Sequence, residues 1–474
     1  MSDRSISISS SSLAPAKSVA PSAAARTKLL LEGPILPTLL RLAAPNVLTL
    51  LAFAGVITFD GFFLGRIGTN ALAGASLAFP WVMMVLQTTN SGMGAGVSSA
   101  VARALGAGRR DRADALVFHA FLLALAVAAI FSTVLLLGAP LLFRWMGGRD
   151  EMLADALSYA DVALGGAVVI CVSNLLGNTV RGTGNMSFPA AVLIGCVIVH
   201  IAISPVLIFG FGPLPALGPA GAGWGLVIPF AGGSAIMIWY LRSRAIVRLN
   251  FRGVTRWELF ADILKVGVPG LINIAITNLS VVVLTGIAGQ LGRDTALGYA
   301  MGARLEYIMQ PIAFGFGTAL VAMVGTNWGA RQYRRAREIA WTGAATVAVV
   351  CGTIGLIVLF QPGLWIGLFS DDAEVAHFGA LYLRIVGPAY LLFGLGLGLF
   401  YVSLGFGRAV AAMNANAVRM VASATGGLAA IYWFDLGVVG FFAAVAAGFC
   451  VYAALLLRAV LSVRAPDATL AMTS

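Results

Sequence analysis

Arg41-Leu42-Ala43-Ala44-Pro45 opens one long apolar segment, and Lys265-Val266-Gly267-Val268-Pro269 opens another 224 residues later. At an offset of 223, Gly92-x-Gly94 is answered by Gly315-x-Gly317, Gly106-Ala107 by Gly329-Ala330, and Gly182-x-Gly184 by Gly405-x-Gly407. Glycine and proline are costly inside helices, so matched placement across successive segments marks an internal duplication. A membrane chain built from two similar halves reads as a transporter with its site where the halves meet.

Of 474 residues, 59% are hydrophobic and 10% are charged. Soluble domains carry roughly 25% charged residues, so the composition describes an integral membrane protein in contact with the lipid bilayer. The net charge of +11 does not signal nucleic acid, because the arginines sit in short loops between apolar runs and form no continuous basic face. Cys171, Cys196, Cys351 and Cys450 lie in apolar segments without CxxC spacing and read as small hydrophobes. P-loop, HExxH and GxSxG motifs are absent. No catalytic residue, metal or organic cofactor is therefore expected, and the chain is not read as an enzyme.

A spanning helix needs about 20 mostly apolar residues. Twelve such segments are predicted, at 37–62, 71–97, 114–140, 157–179, 186–211, 218–242, 258–289, 295–322, 337–361, 378–404, 409–433 and 437–461. Runs of that length exclude barrel strands. The expected fold is all-α, with two six-helix bundles related by a pseudo-two-fold axis along the membrane normal, because an even number of spans gives both copies the same orientation. The expected organisation is a disordered, Ser/Ala/Pro-rich tail at 1–35, an N-terminal lobe at 36–242, a linker at 243–257, a C-terminal lobe at 258–462 and a tail at 463–474. One set of loops holds Arg103, Arg109, Arg110, Arg112 and Arg181, then Arg242 to Lys265, then Arg331 to Arg337, Arg408 and Arg419. The opposite loops carry Asp150, Glu151, Asp294, Asp371, Asp372, Glu374 and Asp435. By the positive-inside rule both termini are expected on the cytoplasmic side of a multi-pass cell (inner or plasma) membrane protein.

Acids at bilayer depth are functional suspects because a charge there is expensive. Asp60 lies in Val56-Ile57-Thr58-Phe59-Asp60-Gly61-Phe62-Phe63, and Glu306 in Met301-Gly302-Ala303-Arg304-Leu305-Glu306-Tyr307. Burial favours the neutral form of a carboxyl, so an acid in a half-wet cavity can exchange a proton for a cationic substrate. Arg304 and Glu306 are two apart and do not face each other on a helix. Offset 224 from Asp60 lands on Leu284, so coupling chemistry is expected in the N-terminal half alone. His200, mid-span, is a second proton site or a hydrogen-bonded structural residue. Asn174 and Asn178 share a helix face at i, i+4 and either line the cavity or bond neighbouring helices. Pro45 and Pro269 are candidate hinges or static packing features.

Taken with Asp60-Gly-Phe-Phe-Leu-Gly65-Arg-Ile-Gly68-Thr-Asn-Ala71-Leu72-Ala73, Arg181-Gly182-Thr183-Gly184-Asn185, Arg304-Leu-Glu306 and Gly325-Thr-Asn327-Trp-Gly329-Ala330, the chain resembles the multidrug and toxic compound extrusion (MATE) transporters over roughly residues 35–460. The resemblance implies export of amphiphilic, often cationic small molecules against inward H⁺ or Na⁺ flow, by a chain that works as a monomer. It also implies that Asp60 matches the family's first-helix acid. Sodium-binding members add an Asn and an Asp four residues apart in the fifth helix and a Thr in the sixth. The matching positions here are His200, Ser204 and Leu226, which favours H⁺ as the coupling ion, with Na⁺ the alternative. A lipid-linked oligosaccharide flippase of similar lobed build is the rival. It would be expected to line its cavity with several basic residues for a diphosphate, whereas Arg304 and Arg384 are the arginines assigned to spans.

Overall fold

The computed structural model describes residues 23–251, 253–369 and 372–463. Among these residues the secondary structure is helical apart from one isolated bridge, Phe211 to Leu214. The N-terminal half holds α1 (Ala23–Glu32), α2 (Ile35–Ile67), α3 (Thr69–Gln87), α4 (Met93–Gly106), α5 (Arg110–Trp145), α6 (Asp150–Gly165), α7 (Ala167–Gly182), α8 (Ser187–Phe209) and α9 (Pro219–Ser243). The C-terminal half holds α10 (Trp257–Gln290), α11 (Arg293–Gly329), α12 (Tyr333–Phe360), α13 (Gly363–Ile366), α14 (Ala373–Val386), α15 (Tyr390–Gly405), α16 (Ala409–Tyr432) and α17 (Gly437–Leu461).

Nine helical stretches among the described residues are long and apolar enough to cross a membrane, and the α6–α7 pair, bent by 43°, makes a tenth. The 33-residue α2 is also of spanning length. In α16, Asn414, Asn416 and Arg419 lower the hydropathy of an otherwise apolar helix. Counting α3–α4, α6–α7 and α14–α15 as one span each gives six spans per half and twelve in all. Each half builds most of its own core: α3 to α9 supply most of one cluster of buried side chains, which also takes in Leu259 and Ile263 of α10, and α10 to α17 supply most of the other.

The pseudo-two-fold is visible in reciprocal contacts. A Cβ at Gly106 of α4 would collide with the Thr326 carbonyl oxygen of α11, and one at Gly329 would collide with the Arg103 carbonyl oxygen of α4. Both pairs are related by 223 residues, so the two helices cross on the axis with equivalent atoms exchanged. This close approach is why Gly-Ala recurs at both positions.

The change of offset from 224 to 223 also has a structural cause. Gly74 packs against the Ala156 amide and Gly298 against the Gly379 amide, which holds the 224 register in α3 and α11. By Gly92 and Gly315 the offset is 223, so the first half carries one extra residue between Gly74 and Gly92. A π turn at Thr88–Gly92 lies in that interval, and a π turn is how a continuous helix absorbs one inserted residue.

The expected tail at 1–35 is corrected over part of its length. Ala23–Glu32 is helical, Leu30 is 3% exposed, and the Leu30 carbonyl accepts a 2.9 Å bond from Asn327 Nδ2 of α11. Leu29-Leu30-Leu31 supplies the apolar face that docks it. Residues 1–22 and 464–474 lie outside the described residues.

α2 belongs to both halves. Its first turns, through Leu39, Leu42 and Ala43, join the C-terminal core, and Asn46 Nδ2 donates to Thr318 Oγ1 of α11 at 2.7 Å. Its later turns pack on α8. Pro45 lies inside α2 and Pro269 inside α10, with helix on both sides of each.

Candidate functional site

Asp60 lies seven residues before the end of α2, about 10 Å of rise. Its side chain is 18% exposed and points into the N-terminal lobe. His200 and Ser204, one turn apart on α8, both reach the same carboxylate oxygen: His200 Nε2 stands 2.8 Å from Asp60 Oδ1, and Ser204 Oγ donates to it at 3.2 Å. On its other side His200 Nδ1 stands 2.7 Å from the Gly225 carbonyl of α9. The imidazole is 3% exposed. Close packing of α8 on α9 at Gly225, where a Cβ would stand 2.9 Å from Ser204 Oγ, sets this geometry.

Hydrogen positions follow from the partners. A carbonyl only accepts, so Nδ1 must carry a hydrogen. The 2.8 Å approach of Nε2 to a carboxyl oxygen then requires one further proton between them, written either on the imidazole or on the acid. Removing it would set two lone pairs face to face. Switching the tautomer would only move the conflict to Gly225. The cluster therefore holds a proton in this arrangement.

Asp60 is not in the wall of the central cavity, and its carboxylate lies within the N-terminal half, where coupling chemistry is expected. That cavity, about 330 Å³, is lined from the first half by Thr49, Gln87, Asn90 and Asn174, and from the second by Asn273, Thr277, Glu306 and Arg419 among others. The π turn brings Asn90 and Ser91 to its surface. Asn174 Nδ2 donates to Thr89 Oγ1 at 3.0 Å. Asn178 does not line the cavity; it is 1% exposed and bonds Asn90 Oδ1 at 3.2 Å and the Asn174 carbonyl at 2.9 Å. It positions cavity residues from behind.

Glu306 does face the cavity, with Oε1 accepting from Tyr382 at 2.5 Å and from Tyr390 at 3.5 Å. Arg304 is a correction: it is exposed, outside the cavity lining, with its guanidinium 5.1 Å from the Phe369 ring centroid. The two-residue spacing puts it on another face of α11 from Glu306. Two arginines assigned to loops are also corrected. Arg181 is in the last turn of α7 and 4% exposed, with Nη1 bonded to Asn90 Oδ1 at 3.2 Å. Arg419 lies inside α16, 6% exposed, in the cavity wall. The signal was available in its position, ten residues into an apolar run.

The lobes are joined at the arginine-rich end. Arg103 Nη2 and Arg112 Nη2 grip the two oxygens of Asp262 on α10 at 2.8 and 3.1 Å. Arg103 Nη1 also donates to Ser99 Oγ, which donates to the Leu404 carbonyl at 2.5 Å. With Asn46–Thr318, these are side-chain bonds between lobes among the described residues, and all lie in the arginine-rich half.

A twelve-span chain of duplicated lobes around a central cavity of mixed polar and apolar lining is a secondary membrane transporter in architecture. The sequence model of the MatE family matches residues 45–206 and 269–427, one segment in each lobe. The chain belongs to the MATE family, and it is a transporter of small molecules and not an enzyme. Among curated relatives, the FAD transporter of Shewanella oneidensis is 26% identical over 83% of this chain and 87% of its own length. The multidrug export protein MepA of Staphylococcus aureus is 23% identical over 90% of this chain and 94% of its own. Among solved structures, a MATE in the bent conformation superposes with a TM-score of 0.84 at 21% identity, covering 92% of this chain and 97% of that one. A MOP superfamily transporter from Pyrococcus furiosus gives 0.81 at 22% identity, covering 91% and 97%.

Proposed function

We propose that the chain is a proton-driven antiporter that exports amphiphilic compounds from the central cavity across the cell membrane, with both termini cytoplasmic. The shared proton of Asp60 and His200, between Nε2 and Oδ1 at 2.8 Å, carries this reading. With the arginine-rich end on the cytoplasmic side, the inter-lobe clamp closes the cavity inward, and this conformation faces out. A proton entering from outside completes the Asp60 cluster and holds α2 on α8. Its loss toward the cytoplasm breaks that contact and frees the outer turns of α2.

α2 transmits the change, because Asn46 at the seam and Asp60 at the pair are fourteen residues apart on one helix, about 21 Å of rise. One charge moving through 100 mV supplies about 2.3 kcal/mol, before any concentration term. What supports H⁺ over Na⁺ is the donor set: an imidazole nitrogen occupies Oδ1 of the acid, whereas a hard cation is held by oxygen ligands. The names of the relatives, multidrug export and FAD transport, support broad amphiphiles as cargo. Arg419 is the single basic residue in the described lining, which weighs against a diphosphate-gripping flippase. The test is flux of rhodamine 6G and fluorescein in proteoliposomes under an imposed pH or Na⁺ gradient. The proposal expects transport to follow the pH gradient and to ignore Na⁺; the reverse dependence would refute it.

A further inference from the structure

We propose that Arg419, with the rings of Phe449 and Tyr452, is an anion-binding subsite of the central cavity. The cargo is then an aromatic amphiphile carrying a carboxylate or phosphate. The word cargo rests on the transport reading above; the binding itself does not.

A guanidinium at this depth is normally met by a counter-charge. No carboxylate among the described residues forms an ion pair with Arg419. Its bonds go to neutral acceptors: Nε donates to Asn416 Oδ1 at 2.8 Å and Nη2 to Ser280 Oγ at 3.2 Å. Asn416 is held in place, since its Nδ2 donates to Asn273 Oδ1 and to Thr277 Oγ1, each at 2.9 Å. The amide therefore aims its carbonyl at Arg419 and fixes the guanidinium plane.

Five N–H groups belong to a guanidinium, and these two bonds leave three unused. Nη1 makes no hydrogen bond among the described residues, and Arg419 lines the cavity. A planar fork of free donors matches the two oxygens of a carboxylate or phosphate. The guanidinium carbon lies 5.7 Å from the Phe449 centroid and 6.0 Å from that of Tyr452. Both rings line the cavity beside Phe393 and Phe400, which gives an aromatic body a surface next to the anion. Glu306, the acid of the same wall, has Oε1 capped by two tyrosine hydroxyls. An organic cation would instead meet Arg419 as a like charge in the same wall.

Fluorescein and rhodamine 6G share a xanthene ring and carry opposite charge. Binding of each to the purified full chain in detergent, read by fluorescence anisotropy without any gradient, tests the subsite. Arg419→Gln is expected to weaken fluorescein about tenfold or more and leave rhodamine 6G unchanged or tighter, with Arg419→Lys recovering part of the loss. On the unmodified protein, benzoate is expected to displace fluorescein and benzylammonium is not, a readout independent of how any variant folds. Equal weakening of both dyes, no effect on fluorescein, or no fluorescein binding by the unmodified chain would overturn the proposal. Arg419-dependent binding with flux that ignores a pH gradient would sink the antiport reading and leave the subsite standing. Proton-driven rhodamine 6G flux without fluorescein binding would do the opposite.

Discussion

The two lobes share a backbone plan and divide the charge between them. In the first, Asp60 is turned inward and answered by His200 and Ser204, out of the cavity. In the second, the position equivalent to Asp60 is Leu284, 2% exposed, and the ionisable groups Glu306 and Arg419 face the cavity. Duplication supplied one scaffold, and divergence gave one copy an enclosed Asp60–His200–Ser204 cluster and the other a cavity wall carrying Glu306 and Arg419. Separating the two sites means that cargo and proton need not touch. In the proposed cycle they communicate through α2, which is anchored in the second lobe's core at Leu39 and Leu42 and in the first lobe's cluster at Asp60.

Variants can break this division of labour at either end. The largest effect is expected from Asp60→Asn, which should reduce pH-driven dye flux to background while dye binding to the cavity, read by anisotropy, persists; loss of binding would show that the two sites are one. Gly106→Val is expected to wedge α4 from α11 and abolish transport, with a lower melting temperature in detergent, because a Cβ there meets the Thr326 carbonyl. His200→Gln keeps a donor toward Asp60 but no exchangeable ring proton. Losing a charge-assisted bond costs about 1.5–3 kcal/mol, so transport should fall by roughly tenfold or more and its pH dependence should flatten. An unchanged pH profile would assign His200 a structural role.

Smaller effects are expected at the seam. Asp262→Asn removes both arginine contacts of a partly exposed ion triad, worth about 1 kcal/mol. Distances between spin labels on the two lobes should then shift toward the inward-open population. Arg304→Gln, which touches Phe369 at the surface and not the cavity, should leave flux within error.

Spans, duplication and the inter-lobe glycines were legible because hydropathy and close helix crossing act on local sequence. Asp60 and His200 stood out as charged or titratable groups in apolar runs, but 140 residues separate them, and no periodicity reports that they touch. Arg419 was hidden by its type: positive-inside counting assigns arginines to loops, although this one lies within an apolar segment. Asn178 shares the face of Asn174, yet helix packing covers it, and the pattern i, i+4 cannot say which member of a pair meets the cavity. The π turn left a trace in the one-residue change of offset, a signal readable only once two glycine pairs had been tied to equivalent contacts.

The shared proton is tested most directly by proton release. Adding a dye that binds to the purified protein in weakly buffered detergent should release one proton per dye bound, followed by a pH indicator, with no release from Asp60→Asn. Binding without release, or release of the same size from Asp60→Asn, would contradict the account.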